Sequence, residues 1–168
     1  LVGMLTDTRG LRTESTSPAV LRTVGTLIEA GGDYSKVMQK TLDSVPYKKM
    51  RVWGNALDRL QLSDSVAWTT LPLTEKRSLN ISDHADLDLG NLLSRVAEAQ
   101  ITAAFIEMRD GTVKVSLRAR PGCDVATVAH ALGGGGHRLA AGCSLEGSVD
   151  ETVDQVFPML HQAVEAAR

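Results

Sequence analysis

Cysteine is scarce in this chain of 168 residues: only Cys123 and Cys143 carry thiols, and they form neither a Cys-x-x-Cys pair nor a cluster with histidine at metal-ligand spacing. A disulfide framework and a structural zinc are therefore excluded as organising devices, and the two residues read as reduced thiols of a cytoplasmic protein. Aromatic residues are equally sparse, at 4%. A long single strand of nucleic acid is held by successive bases stacked on aromatic rings, so a short ligand is expected instead. Basic residues show no excess: 18 Lys and Arg face 20 Asp and Glu, for a net charge of −2. Nonspecific grip on a polyanion needs a surplus of cations, so any phosphate site has to be local. No apolar run approaches the ~20 residues of a membrane span, and no basic leader with a cleavage site is visible, so a chain neither inserted nor exported is expected. What remains, 43% hydrophobic and 23% charged, suffices for one large domain or two small ones with a real core.

Glycine, by contrast, is concentrated. Gly133, Gly134, Gly135 and Gly136 run directly into His137, Arg138, Leu139, Ala140, Ala141 and Gly142. Glycine tolerates positive φ, so successive amides in such a loop can converge on an anion, with His137 and Arg138 adding side-chain donors at the rim. A bland turn needs one or two glycines, and each further one costs about 0.5–1 kcal/mol in chain entropy, which favours binding over a simple turn.

The amino terminus carries a second signal. Leu1-Val2-Gly3-Met4-Leu5 is an apolar run that stops abruptly at Thr6-Asp7-Thr8. It predicts a buried parallel strand, whose carboxyl end is where open α/β sheets place their ligands. Asp7 then stands at a site, unless it simply caps a turn. A chain that begins inside a core strand without an initiator methionine is expected to be a fragment of something longer.

Helices dominate the first third. Ser17-Pro18 opens one that runs to about Ala30, Asp33 caps a short one toward Thr41, and Val52, Ala56, Leu57 and Leu60 share the face of a third. A domain boundary is expected near residues 43–60. Residues 66–71 read as a strand, and the segment from Pro72 to Asp88 as largely polar and irregular. A helix over 87–99 precedes a strand from Ile101 to Met108, and Arg109-Asp110-Gly111 turns into a second strand over 113–120. On that strand Lys114, Ser116, Arg118 and Arg120 share one face and Val113, Val115, Leu117 and Ala119 the other. Asp124 caps a helix ending at the glycine run, residues 140–145 return as a strand, and Ser148 with Glu151 forms a capping box for a last amphipathic helix.

If the Arg118 strand and the glycine loop are neighbours, Arg118 would hold a phosphate bidentately while loop amides donate from another side. Ser116 would add a hydroxyl or face water. Asp83-His84-Ala85-Asp86 is better read as capping a helix than as a metal site. His130 and His161 read as surface or packing residues, and Trp53 and Trp68 as core.

The segment GGGGHRLAAG, preceded by Val115-Ser116-Leu117-Arg118, closely resembles the DHH-associated domain of DHH phosphoesterases. Thr6-Asp7-Thr8 with Arg12 and Ser15-Thr16 resembles the last motif of the metal-binding domain in the same family, and the spacing is that of the oligoribonuclease and phosphoadenosine phosphate (pAp) phosphatase branch. This chain departs from the pattern at Arg9, Gly10 and Leu11, where the family has glycine and then an aromatic, and at Ala119, often serine. The resemblance implies an α/β fold: a helical tail of a truncated parallel-sheet domain followed by a small α/β domain with a mixed sheet. Its divisions would be a metal-binding remnant over 1–45, a linker helix over 46–60 and a substrate-binding domain over 61–168.

By the same resemblance, the whole protein would use two Mn²⁺ ions to hydrolyse short oligoribonucleotides or pAp. Asp7 would be a catalytic metal ligand, with substrate contacts from Arg118, Ser116, Gly134, Gly135, Gly136, His137 and Arg138. The Asp-His-His signature belongs to an upstream domain, so this part alone would be inactive, and a homodimer is a further expectation. Two alternatives stay open: a non-catalytic RNA-handling module of the kind appended to alanyl-tRNA synthetase, or a related single-strand exonuclease, polyphosphatase or cyclic-dinucleotide phosphodiesterase.

Overall fold

A computed structural model describes residues 1–82 and 87–167, so the Asp83-His84-Ala85-Asp86 segment lies outside the described residues. The chain divides into two units, Leu1–Tyr47 and Lys48–Arg168.

The first unit holds three helices, α1 (Val2–Asp7), α2 (Pro18–Glu29) and α3 (Tyr34–Thr41). The last two form as expected: the Ser17 side chain accepts from the Val20 amide, Pro18 occupies the first turn, and the Asp33 carboxylate accepts from the Lys36 amide. The strand expected at the amino terminus is instead helix α1, in which only Leu5 is buried. Five apolar residues serve a helix or a strand equally well, and a strand needs a partner. Every described strand lies in the second unit, whereas local bonds are at hand here. The Leu5 amide donates to the Leu1 carbonyl, and the Thr6 and Thr8 hydroxyls donate back to Val2 and Met4. Asp7 therefore sits, exposed, in the last turn of a helix and not at the end of a sheet strand.

The second unit opens with α4 (Tyr47–Asp58), which starts at the division, and is built on a six-stranded mixed sheet. Its strands are β1 (Gln61–Ser63), β2 (Val66–Leu71), β3 (Ile101–Glu107), β4 (Thr112–Ala119), β5 (Gly135–His137) and β6 (Ala140–Glu146), in the order β1-β2-β3-β4-β6-β5. Only the β2–β3 pair is parallel. Between β2 and β3 lie α5 (Leu73–Ser78) and α6 (Leu89–Leu93); α7 (Val125–Ala131) precedes β5 and α8 (Val149–Glu165) follows β6.

Two segments fold otherwise than their sequence pattern predicts. The segment after Pro72 contains α5, whose Glu75 in the first turn and Lys76 and Arg77 in the last complement the helix dipole. The helix expected over 87–99 is the single turn and a half of α6, because the Ser94 hydroxyl takes the Asn91 carbonyl and the chain then tightens into turns.

The two faces of the sheet are covered differently. Val113, Val115 and Leu117 of β4 join Phe105, Ala141 and Cys143 in a core closed by Val125 and Val128 of α7 and Val156, Leu160 and Val164 of α8. Each valine, leucine or phenylalanine side chain among them contributes about 1.5–3 kcal/mol when fully buried, so this face anchors the sheet. On the other face Ala104 and Ile106 pack with Val52 and Ala56 of α4 and with Leu89 and Leu93 of α6. Trp53, half-buried, packs against that cluster and donates its indole N–H to the Leu87 carbonyl at 2.7 Å, while Trp68, also half-buried, packs against the other cluster and lies on Phe157 with ring centroids 4.3 Å apart, so both flank the cores that the sequence assigns them to. Burial pushes the Cys123 and Cys143 thiols up from their ordinary pKa, so both stay protonated inside the core and offer no thiolate.

Candidate phosphate-binding site

The alternation of β4 turns Lys114, Ser116 and Arg118 toward the face that carries α6. There they line a cavity of about 160 Å³ together with Lys76, Asp88 and Gly90. Arg118 is held from several sides: Nε donates to Asn91 Oδ1 at 3.1 Å, and Nη1 donates to the Leu117 carbonyl at 2.9 Å and reaches Ser116 Oγ at 3.5 Å. Lys76 is buried, with Nζ 3.3 Å from the Glu107 carbonyl oxygen and 3.5 Å from Met108 Sδ. Three cationic side chains and the Ser116 hydroxyl thus gather around one small concavity, against the single carboxylate of Asp88. Guanidinium, ammonium and hydroxyl donors on a partly desolvated wall suit the oxygens of a phosphate.

Gly90 permits this assembly. A Cβ built there would stand 2.8 Å from Ser116 Oγ and 3.4 Å from Arg118 Cζ, so any side chain would force Ser116 or α6 to shift from this close approach. Sequence reading missed Gly90, Asn91 and Lys76, because their place at the site depends on α5 and α6 folding over β4, and no local pattern announces that.

The glycine run serves packing as well as exposure. The Gly133 amide donates to His130 and the Gly134 amide to Ala129, closing the carboxyl end of α7, so the Gly134 amide does not project from an open loop as expected. Gly135 then enters β5. At Gly136 φ is 140°, and an added Cβ would lie 2.5 Å from Ala141 Cα; at Gly134 it would lie 2.2 Å from the Gly142 carbonyl oxygen.

The strand and the glycine run are not immediate neighbours, since β6 runs between them. The register nonetheless aligns Arg118 with Ala140 and Ala140 with His137, and Ser116 with Gly142 and Gly142 with Gly135. Two strand spacings put His137 about 9.5 Å across the sheet from Arg118, with only alanine and glycine between. Arg138 goes elsewhere: it lies 3.5 Å from Asp124 and lines a separate groove between α7 and α8 with Thr127, Met159 and Gln162, which removes it from the Arg118 cavity.

The histidines behave as the sequence suggests. His130 sits on α7 with its ring beside Gly135, and His161 packs against Phe157 with centroids 4.5 Å apart and the ring planes tilted by 57°. Asp7 is on α1 in the first unit, and among the described residues no group of three or more His, Cys, Asp or Glu could hold a metal ion. A pair of Mn²⁺ ions needs several such ligands around one point, so these residues do not fit that group by themselves. Nor is any helix among the described residues long and apolar enough to cross a membrane.

Comparison with known proteins agrees with this architecture. The chain is 30% identical over 168 residues to the bifunctional oligoribonuclease and PAP phosphatase NrnA of Thermus thermophilus, covering 99% of this chain and 50% of that protein. It is 25% identical over 144 residues to the probable enzyme of the same name from Streptococcus mutans, covering 84% and 46%. The chain thus spans about half the length of the curated relatives it matches. Among solved structures, an exopolyphosphatase-related protein from Bacteroides fragilis superposes with a TM-score of 0.85 at 22% identity, over 96% of this chain and 47% of that one. A pGpG-specific phosphodiesterase from Vibrio cholerae shares the fold at a TM-score of 0.54 and 13% identity, over 89% and 52%. Residues 74–166, more than half of the chain and the part that carries β3, β4, the glycine run and α8, match the DHHA1 domain, the family to which this chain belongs.

Proposed function

We propose that this chain holds the phosphate of a short oligoribonucleotide or of pAp on the face formed by β4 and α6. On this reading it is the substrate-binding part of a DHH-type phosphoesterase. The observation that carries the proposal is Arg118, fixed by Asn91 and by the Leu117 carbonyl in the wall of a cavity shared with Lys76, Lys114 and Ser116. His137, across β6, is proposed to contact a second polar group of the same ligand, beside the backbone of Gly135 and Gly136. The names of the Thermus and Streptococcus relatives support the substrate class. Manganese-dependent hydrolysis is proposed for the whole-length protein, with this chain alone binding and not turning over.

Calorimetric titration of pAp tests the proposal. Arg118→Ala is expected to weaken binding by about 1.5–3 kcal/mol, the scale of charge-assisted hydrogen bonds. Unchanged affinity in the variant would overturn the site. Phosphate release by this chain alone on addition of Mn²⁺ would overturn the division of labour.

A further inference from the structure

We infer that Asn91 is the positioning residue that sets the direction of the Arg118 guanidinium, itself oriented by Asp88; the inference rests on the phosphate-binding reading of the same face. Three side chains from two elements form a chain of hydrogen bonds. The Asn91 amide nitrogen donates to the Asp88 carboxylate, and the Asn91 amide oxygen accepts from Arg118 Nε at 3.1 Å, across 27 residues of sequence. A carboxylate only accepts and a guanidinium only donates, so the two ends of the Asn91 amide are not interchangeable. Reversing the amide would set donor against donor and acceptor against acceptor. The polarity of the chain thus fixes both the amide and the edge of the guanidinium that faces α6.

The backbone supports the same arrangement. Asp88 occupies the amino-terminal cap of α6 with φ 53°, in the left-handed region where, glycine apart, Asn and Asp are among the best-tolerated residues. From that position its carboxylate meets Asn91, three residues on. Gly90 lies between them, and its lack of a Cβ brings this turn onto Ser116 and Arg118. With Nε bonded to α6 and Nη1 turned to the Leu117 carbonyl, the plane of the guanidinium is set before a ligand arrives. Arginine is rich in rotamers, and ordering it beforehand removes that cost from binding. Asn91 acts through Arg118 and need not touch the ligand.

The test pairs a side-chain signal with affinity. In the full 168-residue chain, the Arg118 Nε–H is followed by proton–nitrogen NMR for exchange with solvent, and pAp affinity is measured by calorimetry. Asn91→Ala and Asp88→Ala are expected to expose the Nε–H to fast exchange and to weaken pAp binding roughly two- to 150-fold, the span of coupling between contacting neighbours. Asp88→Asn, which keeps an acceptor and suits the left-handed backbone, is expected to retain the slow signal and most of the affinity. In an Arg118→Ala background Asn91→Ala should cost nothing further. A slow Nε–H in folded Asn91→Ala overturns the inference, as does an equal affinity loss in the Arg118→Ala background. Should the unaltered chain fail to bind pAp, the ligand assignment falls, while the signal alone still decides whether Asn91 orients Arg118.

Discussion

At the scale of single residues, the site depends on close approach as much as on charge. Arg118 is useful because neighbours on β4 and α6 hold it still, and Gly90 is what lets α6 come near enough to do so. Gly90→Ala is expected to push α6 off Ser116, costing about 1–3 kcal/mol of stability by overpacking and weakening pAp binding in step. Thermal unfolding and calorimetry of the one variant would show both, and a variant with unaltered affinity would contradict the assigned packing. Arg138 offers the converse check. It pairs with Asp124 in the α7–α8 groove, so Arg138→Ala should bind pAp as the unaltered chain does, whereas a large loss would return Arg138 to the phosphate site. Its sequence position beside His137 suggested otherwise, because the ion pair that draws it away reaches back 14 residues, to Asp124, and leaves no local trace.

At the scale of elements, the caps carry the clearest consequences. Asp124 accepts from the amides of Ala126 and Thr127 at the start of α7, and Asp124→Ala should cost about 1 kcal/mol, read from denaturant unfolding. In the capping box of α8, the backbone amide of Ser148 and then its hydroxyl hydrogen-bond Glu151 and hold its carboxyl below the usual glutamate range. A folded-state pKa that is depressed stabilises the fold above the unfolded value and loses that support as pH falls through the folded one. Unfolding followed across the acid range should therefore show Glu151→Gln with a flatter loss of stability below the ordinary glutamate pKa, and identical acid limbs would contradict the capping box. These caps were legible in the sequence because a cap is a local bond between residues two or three apart. The β4 faces were legible because alternation with period two survives in any sheet. The identity of α1 was not, because Leu1-Val2-Gly3-Met4-Leu5 satisfies both patterns and the choice turns on whether a partner strand exists. Likewise α6 was placed but overextended, since Ser94 can hydrogen-bond its own helix and end it.

At the scale of the whole molecule, the second unit sorts its chemistry by sheet face. One face is sealed by α7 and α8 over an apolar core, and the other carries cations at β4 beside α6. The first unit contributes three helices, with Asp7 on the first of them, and among the described residues no group of three or more potential metal ligands gathers at one point. The likeness of residues 74–166 to the DHHA1 domain was readable from GGGGHRLAAG and Arg118. The separation of those two by β6 was not, because strand order is a property of the sheet and not of either motif. The most direct test of the account is backbone NMR of the isotope-labelled chain titrated with pAp in the absence of metal. Saturable shifts are expected, concentrated at Gly90, Asn91, Ser116 and Arg118, with a smaller set at Gly135 to His137. Shifts confined to Thr127, Met159 and Gln162 in the α7–α8 groove, or none at all, would contradict it.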